Sequence, residues 1–554
     1  MKIFNKILIL SLALVFCSCL KDLNTVPLNK TDFTSENAYE NEASYLHSLA
    51  YINGYYMMVG QDDPGSNDLG FSDSGQSEFI RQWFNLNEMS CDALKCVWGD
   101  SYISALQTNS WGDGVNDAMT AVYTRAVKAI ALVNEYLLQT EDSRLEARGQ
   151  SHLIEKVHGY RAEARFHRAM FFYVLMDEFG NPPFPMPENI GGDNPKQIKR
   201  ADLFAWLETE LLDLASENSA MPEKGEVEYP RPTKGSVWAL LSRMYLNAEV
   251  YTGTAKWQEA KDASQKVIDM GYKLQGTYAD LFRQDNTTNG SANEFIFAVA
   301  YDRVSVQSWG GTTTFVSASL NEDANKAIGQ HFGLEKVNFE NWAGYHVPAD
   351  YVARFQLSDV EWGNPDNVFG YDRERSDKRA FFTNLGCKES FDLATMATGW
   401  LCWKYCGLNA DNTFAQGVEG GGDNKLSSAD MPLFRLAEMY LNYAEADARL
   451  NGGTVKDTKA VSYVKALRDR AGVGMPSDLT LDWLLDERAR EFMWEGHRRV
   501  DLIRYGYFTS MNYPWTFKGG IQNGKVSIPE FRTIYPIVQS DLSANSNLKQ
   551  NIGY

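Results

Sequence analysis

VHGYRAEARFHRAMFFYVLMDEFGNPPFPMP, running from Val157 to Pro187, is the stretch whose reading decides the fold. Up to Gly180 its spacing predicts one helix. Ala162, Phe166, Met170 and Tyr173 follow one another at intervals of three or four and share a face. Phe172, Leu175, Met176 and Phe179 make a second apolar face, and Arg161, Glu163, Arg165 and Arg168 cover what remains of the first half. A helix apolar on nearly all sides in its second half needs neighbours on both flanks. Gly180-Asn181-Pro182-Pro183 then stops it, because Gly suits the left-handed position after a helix and Pro cannot continue one. The stretch predicts a helix sandwiched in a stack, and no active site.

Outward from it, Pro230-Arg231-Pro232-Thr233 introduces a helix over Lys234 to Tyr251, Gly253 breaks it, and Ala255 to Met270 is its partner. Val237 to Met270 spans 34 residues, the length and helix-turn-helix layout of a tetratricopeptide repeat. One such unit cannot bury both faces, so others must stack on it. This unit and the pair Pro432–Leu450 and Lys456–Arg470 are the expected cover for the Val157 helix. Ala38–Met57, with Ser35 as N-cap, Asn116–Gln139 and Ala201–Leu214 also carry helical periodicity. Gly60–Ser77 reads as loop, and Phe79–Gly114 as short of helical signals yet dense in Trp: Trp83, Trp98 and Trp111. Glu294–Val299 and Gly399–Tyr405 read as strands. Ser305–Leu320 and Asn338–Ala349 are loop and strand mixtures, Asp411–Ala429 is linker, and the last forty residues are loops with a small strand near Thr533–Ile537.

Length, 554 residues, suggests about three or four domains on its own. A formal net charge of −19 excludes nucleic acid as partner, since phosphates need Lys and Arg to neutralise them. Lys2 and Lys6 ahead of apolar Ile7–Phe16 make a secretory signal too short to span a bilayer. Ser18-Cys19 resembles a bacterial lipoprotein box with Cys19 as the lipidated residue. Cleavage there removes two lysines and no acid, taking the charge to −21. Lys21-Asp22 resembles the signals that send such proteins to the outer face of the outer membrane. Five cysteines remain: Cys91, Cys96, Cys387, Cys402 and Cys406. An odd number leaves at least one free thiol. No His or further Cys stands near them at ligand spacing, which argues against zinc. On a continuous strand Cys402 and Cys406 would lie about 13 Å apart, too far to bridge.

Six segments carry a family resemblance in order and spacing: RAEARFHRAMFFYVLMDEFGNPP (161–183), RPTKGSVWALLSRMYLNAEVY (231–251), MPLFRLAEMYLNYAEADARLNGG (431–453), LRDRAGVG (467–474), LLDERAREFMWEGHRRVDLIRYGYF (484–508) and FRTIYPIVQSDLSANSNLKQNIGY (531–554). Behind a lipoprotein signal, they make the whole chain resemble the SusD/RagB family of surface nutrient-binding lipoproteins. The resemblance implies a mainly α fold, with tetratricopeptide-like helix pairs packed with a loop-rich half carrying a few short strands. After the signal peptide (1–18), residues 19–554 would form one such domain. Its helices fall at about 38–57, 116–280 and 430–507, and its ligand half at about 60–115 and 281–429. It further implies capture of an oligo- or polysaccharide, without catalysis, and delivery to a TonB-dependent SusC-like outer-membrane transporter.

In that family the ligand meets an aromatic arc drawn from an early and a mid-chain loop. The matching segments here are Arg81–Asp100, Trp309-Gly310-Gly311 and Asn341-Trp342-Ala343-Gly344. Sugar rings offer apolar faces and a hydroxyl rim, so a binder needs exposed aromatic platforms with polar groups at their edges. Trp98, Trp309 and Trp342 are the expected platforms, their Gly-rich settings favouring exposure, and Arg81 and Asp100 the hydrogen-bonding partners. Carboxylates at helical spacing (Glu487, Glu491, Glu495, beside His497) invite a surface glycoside hydrolase instead. Arg488, Arg490, Arg498 and Arg499 among them favour a structural ion-pair network. A third possibility is a tetratricopeptide scaffold for peptide or protein, with those Trp residues buried. Asp62, Asp63, Asp68 and Asp73 are a weak signal for structural Ca²⁺, lacking the Gly-and-Glu-terminated loop, and no other cofactor is expected.

Overall fold

The quoted stretch forms a helix over Ile154–Phe179. From Ala162 to Phe179 every side chain but half-buried Arg165 is buried. Gly180, at φ +70°, ends it. The four carbonyls left unpaired by the last turn each gain an outside donor. Arg200 donates Nε to Met176 O and Nη2 to Asp177 O, both at 2.9 Å. Tyr535 N–H donates to Glu178 O at 2.6 Å and Asn551 Nδ2 to Phe179 O at 2.7 Å.

A computed structural model of the chain describes residues 38–60, 66–71, 73–189, 192–358, 360–364, 366–370, 377–388, 398–415, 425–513, 515 and 527–554. Cys19, Ser35, Asp62 and Asp63 lie outside them. The main helices are α1 (Glu42–Gly54), α2 (Phe79–Glu88), α3 (Ser101–Gln107), α4 (Asp117–Gln139), α5 (Ile154–Phe179), α6 (Arg200–Ala215), α7 (Lys234–Leu246), α8 (Trp257–Asp269), α9 (Gly311–Ser317), α10 (Leu436–Leu450), α11 (Thr458–Ala471), α12 (Leu481–Glu491) and α13 (Arg498–Arg504). Asn116 caps α4 by accepting from Met119 N, and Thr233 and Ser236 form a capping box on α7. Short strands pair antiparallel: β1 (Lys95–Cys96) with β3 (Tyr345–His346), β2 (Phe295–Val299) with β6 (Met431–Arg435), and β4 (Phe382–Thr383) with β5 (Leu401–Cys402). The fold is mainly α, as expected.

Helix α5 lies between α4 and α6, with α1 beside it. α6 meets α7, α7 meets α8, and α8 meets α10, which carries α11 and α12. This corrects the expected cover for α5. The unit Val237–Met270 touches it only at an edge through α7, and the pair after Pro432 stacks on α8. Consecutive helices are neighbours, so α5 is covered chiefly by the helices just before and after it.

Four further segments differ from expectation. Residues 79–114 hold α2 and α3. The polar residues of α2 break the apolar period but are satisfied inside the core: Gln82 donates to Gln76 O at 2.7 Å, and Asn87 to Glu178 Oε1 at 2.6 Å. Gly311–Ser317 is helix α9. Pro432 sits in β6, and its helix starts only at Leu436. The Thr533 segment is a short 3₁₀ turn, Glu530–Thr533, followed by chain that docks on the end of α5.

Buried charge ties the two halves together. Arg435 from β6 bonds Glu495 at 2.7 Å, Glu491 at 2.6 Å and Glu294 at 3.1 Å. Arg379 bonds Asp377, Glu487 and Glu491 at 2.7, 2.8 and 3.0 Å, and Lys404 bonds Glu495 at 2.7 Å. Arg498 and Arg499 reach Asp92 and Glu178 at 2.8 and 3.0 Å. Three arginines hold the Glu491 carboxyl far below the usual carboxylate range against the opposing cost of burial. His497 is half-buried and stacks on Phe492 with ring centroids 4.6 Å apart. Cys91, Cys96, Cys387, Cys402 and Cys406 are all buried. Among the described residues no group of three or more His, Cys, Asp or Glu is placed to hold a metal.

Candidate ligand-binding site

Trp98, Trp309 and Trp342 come from three distant parts of the chain and meet. The β1–β3 pairing sets Cys96 opposite Tyr345, and Val97 N–H continues it to Gly344 O at 3.0 Å. That register lays the Trp98 indole on the Gly344 backbone, with Nε1 donating to Trp342 O at 3.4 Å. The Trp98 ring centroid is 5.4 Å from Tyr345 and 6.5 Å from Trp342. Trp309 stacks on Trp342 at 6.1 Å and 30°. Helix α9 joins these last two: Trp309 O accepts from Thr314 Oγ1 at its start, and Trp342 N–H donates to Ser317 O at its end, at 2.7 Å. All three indoles are half-buried, and Gly99, Asp100 and Asn341 around them are exposed.

The glycines beside these rings serve close approach rather than exposure. A Cβ on Gly344 would stand 2.1 Å from Trp98 Cε2, and one on Gly310 would stand 2.3 Å from Glu78 Oε2. Gly311 has φ +44°, and a Cβ there would meet the Tyr301 hydroxyl at 2.1 Å.

Glu78 is the support that sequence reasoning missed. It is fully buried at the start of α2 and accepts from Tyr301 Oη at 3.0 Å, Ser308 Oγ at 2.9 Å and Arg81 N–H at 3.0 Å. It has no cationic partner among the described residues, and burial pushes its carboxyl up to about 7 against the pull of those donors. Through Ser308 and Gly310 it holds the loop that carries Trp309. No sequence signal marks it.

Arg81 is corrected as an exposed partner. It sits on α2, is 2 % exposed, pairs with Asp73 at 2.6 Å and donates to Ser74 O at 3.3 Å. Of that pair, Asp73 is the member that reaches solvent. Asp100 is exposed at the start of α3, and its side chain makes no cap bond there. Of the acidic loop, Asp68 bonds Arg125 Nη1 at 3.1 Å and Asp73 bonds Arg81, so both carboxylates already face guanidinium.

A model of the SusD family matches residues 373–554, and another, described as starch-binding associating with outer membrane, matches residues 32–246. The starch-binding protein SusD of Bacteroides thetaiotaomicron is 31% identical over 586 positions, covering 100% of this chain and 98% of its own. A SusD-like protein of Bacteroides ovatus is 24% identical, covering 77% of this chain and 73% of its own. Among solved structures, surface glycan-binding protein A from B. thetaiotaomicron, in complex with laminarihexaose, has TM-score 0.65 at 18% identity, covering 92% of this chain and 99% of its own. A SusD homologue from the same organism has TM-score 0.67 at 18% identity, covering 94% and 98%. These two likenesses are of fold. With full-length identity to SusD and family models at both ends, the chain belongs to the SusD family.

Proposed function

We propose that this protein is a non-catalytic carbohydrate-binding lipoprotein that holds an oligo- or polysaccharide on Trp98, Trp309 and Trp342. The observation that carries the reading is the convergence of these three half-exposed indoles. Flat apolar rings at differing tilts suit the faces of successive sugar units, and Asp100, Asp73 and Asn341 offer acceptors at the hydroxyl rim. Half-exposure argues against a scaffold that binds protein only. The relative matched over the whole chain is a starch-binding protein, so starch is the first ligand to test. The rest of the proposal follows the family: lipidation at Cys19, an outward-facing place on the outer membrane, and hand-over of the glycan to a TonB-dependent SusC-like transporter. The matched description, associating with outer membrane, supports that placement.

The test is affinity electrophoresis of the body from residue 20 onward in gels loaded with starch and other polysaccharides. Trp98→Ala and Trp309→Ala should each weaken retardation by roughly tenfold to a hundredfold, as aromatic hot spots do, with the melting temperature little changed. Retardation that persists unchanged in both variants overturns the site. Steady release of reducing ends would make the protein a hydrolase instead.

A further inference from the structure

Arg283 is a buried cation in an unusual setting. It is 3 % exposed, and its one side-chain hydrogen bond among the described residues runs from Nη1 to the thiol of buried Cys406. Its Nε has no hydrogen-bond partner among the described residues. Every other buried arginine among the described residues meets a carboxylate, except Arg303, which donates to two oxygens, Ala415 O and Gln284 Oε1. A thiol is a weak, neutral acceptor, and a buried guanidinium without an anion carries an uncompensated desolvation cost.

Arg283 lines a cavity of about 440 Å³, within the range of small-molecule sites. Trp403, 5.8 Å from the Arg283 Cζ, and Phe332, edge-on to Trp403 at 5.9 Å, wall it. Thr277 and Asn412, both exposed, stand at its rim with half-buried Asp280. A larger cavity, about 600 Å³ against α5, differs in kind: its Arg161, Arg165 and Arg168 are all bonded to protein oxygens. The Arg283 cavity shares no residue with the tryptophan cluster.

We propose that this cavity is a second ligand site, which takes the carboxylate of a small acidic molecule of sugar size. Arg283 supplies the charge that its own surroundings leave unmatched. Trp403 and Phe332 give apolar wall to a ring, and Thr277 and Asn412 meet its hydroxyls. The site is independent of the tryptophan cluster, and either can fail alone.

Isothermal titration of the body from residue 20 onward with D-glucuronate, D-glucose and inorganic sulfate tests this. Glucuronate should bind. Arg283→Gln and the rim-filling Thr277→Trp should each weaken it at least about tenfold, and Trp98→Ala should leave it unchanged. Arg283→Gln should melt at or above the parent temperature, because it removes a buried charge without an anion. Absence of glucuronate binding, or binding untouched in both cavity variants, overturns the proposal. So does sulfate that binds as tightly and displaces glucuronate, since the ring would then contribute nothing.

Discussion

Glu78→Gln probes the support beneath the tryptophan cluster. An ordinary glutamate near 4.5 is raised to about 7 in the fold, by burial above all. A raised carboxyl favours the folded state while it holds its proton. That stabilisation is complete below the unfolded value near 4.5 and is lost as pH climbs through about 7. The full shift corresponds to about 3 kcal/mol, of which on the order of 2 kcal/mol falls between pH 5 and pH 8. A glutamine side chain cannot ionise, so the variant should gain about 2 kcal/mol on the parent between pH 5 and pH 8. Urea denaturation at the two values measures this as a difference of differences, which cancels Glu88 and Glu178, also raised mainly by burial and unaltered in both proteins. If the gap between parent and variant is the same at pH 5 and pH 8, Glu78 is ionised throughout and its placement here is wrong.

Gly344→Ala should displace the Trp98 indole, since the new Cβ would stand 2.1 Å from it. Starch retardation should fall close to that of Trp98→Ala while thermal melting shifts little. Phe166→Ala, at a fully buried position of α5, should destabilise by about 3–5 kcal/mol in chemical denaturation. At temperatures where it stays folded it should retain glycan binding, which separates the stack from the site.

The helix stack was legible because its signals are local. Apolar spacing over 23 residues, Gly180 and the following prolines are enough to place α5. What covers it was not legible, because periodicity says that a face is buried and not by which neighbour. Helix α2 escaped notice for the opposite reason: its buried Arg81, Gln82, Asn85, Asn87 and Glu88 look like a solvated loop until their partners are known. The three tryptophans were picked out through the family resemblance. Their meeting depends on β1 and β3, strands of two residues each, too short to show an alternating pattern. Trp-Gly sequences suggested exposure, but the glycines answer to Trp98, Glu78 and Tyr301 pressing on the backbone. Arg81 went astray because sequence does not reveal that Asp73 already claims it.

The buried ions around Arg435 bear on how the chain comes apart. Glu294, Arg379 and Lys404 come from the loop-rich half, and Arg435, Arg470, Glu487, Glu491 and Glu495 from the segment after residue 430, where Arg498 likewise reaches back to Asp92. The loop-rich half alone would strand Glu294 and Lys404 with no counter-ion, and the stack alone would strand Arg498, at several kcal/mol each. The helical and loop-rich halves therefore cannot be separated into autonomous folding pieces. Calorimetry should show one unfolding transition, and proteolytic trimming should yield no stable core made of the stack alone.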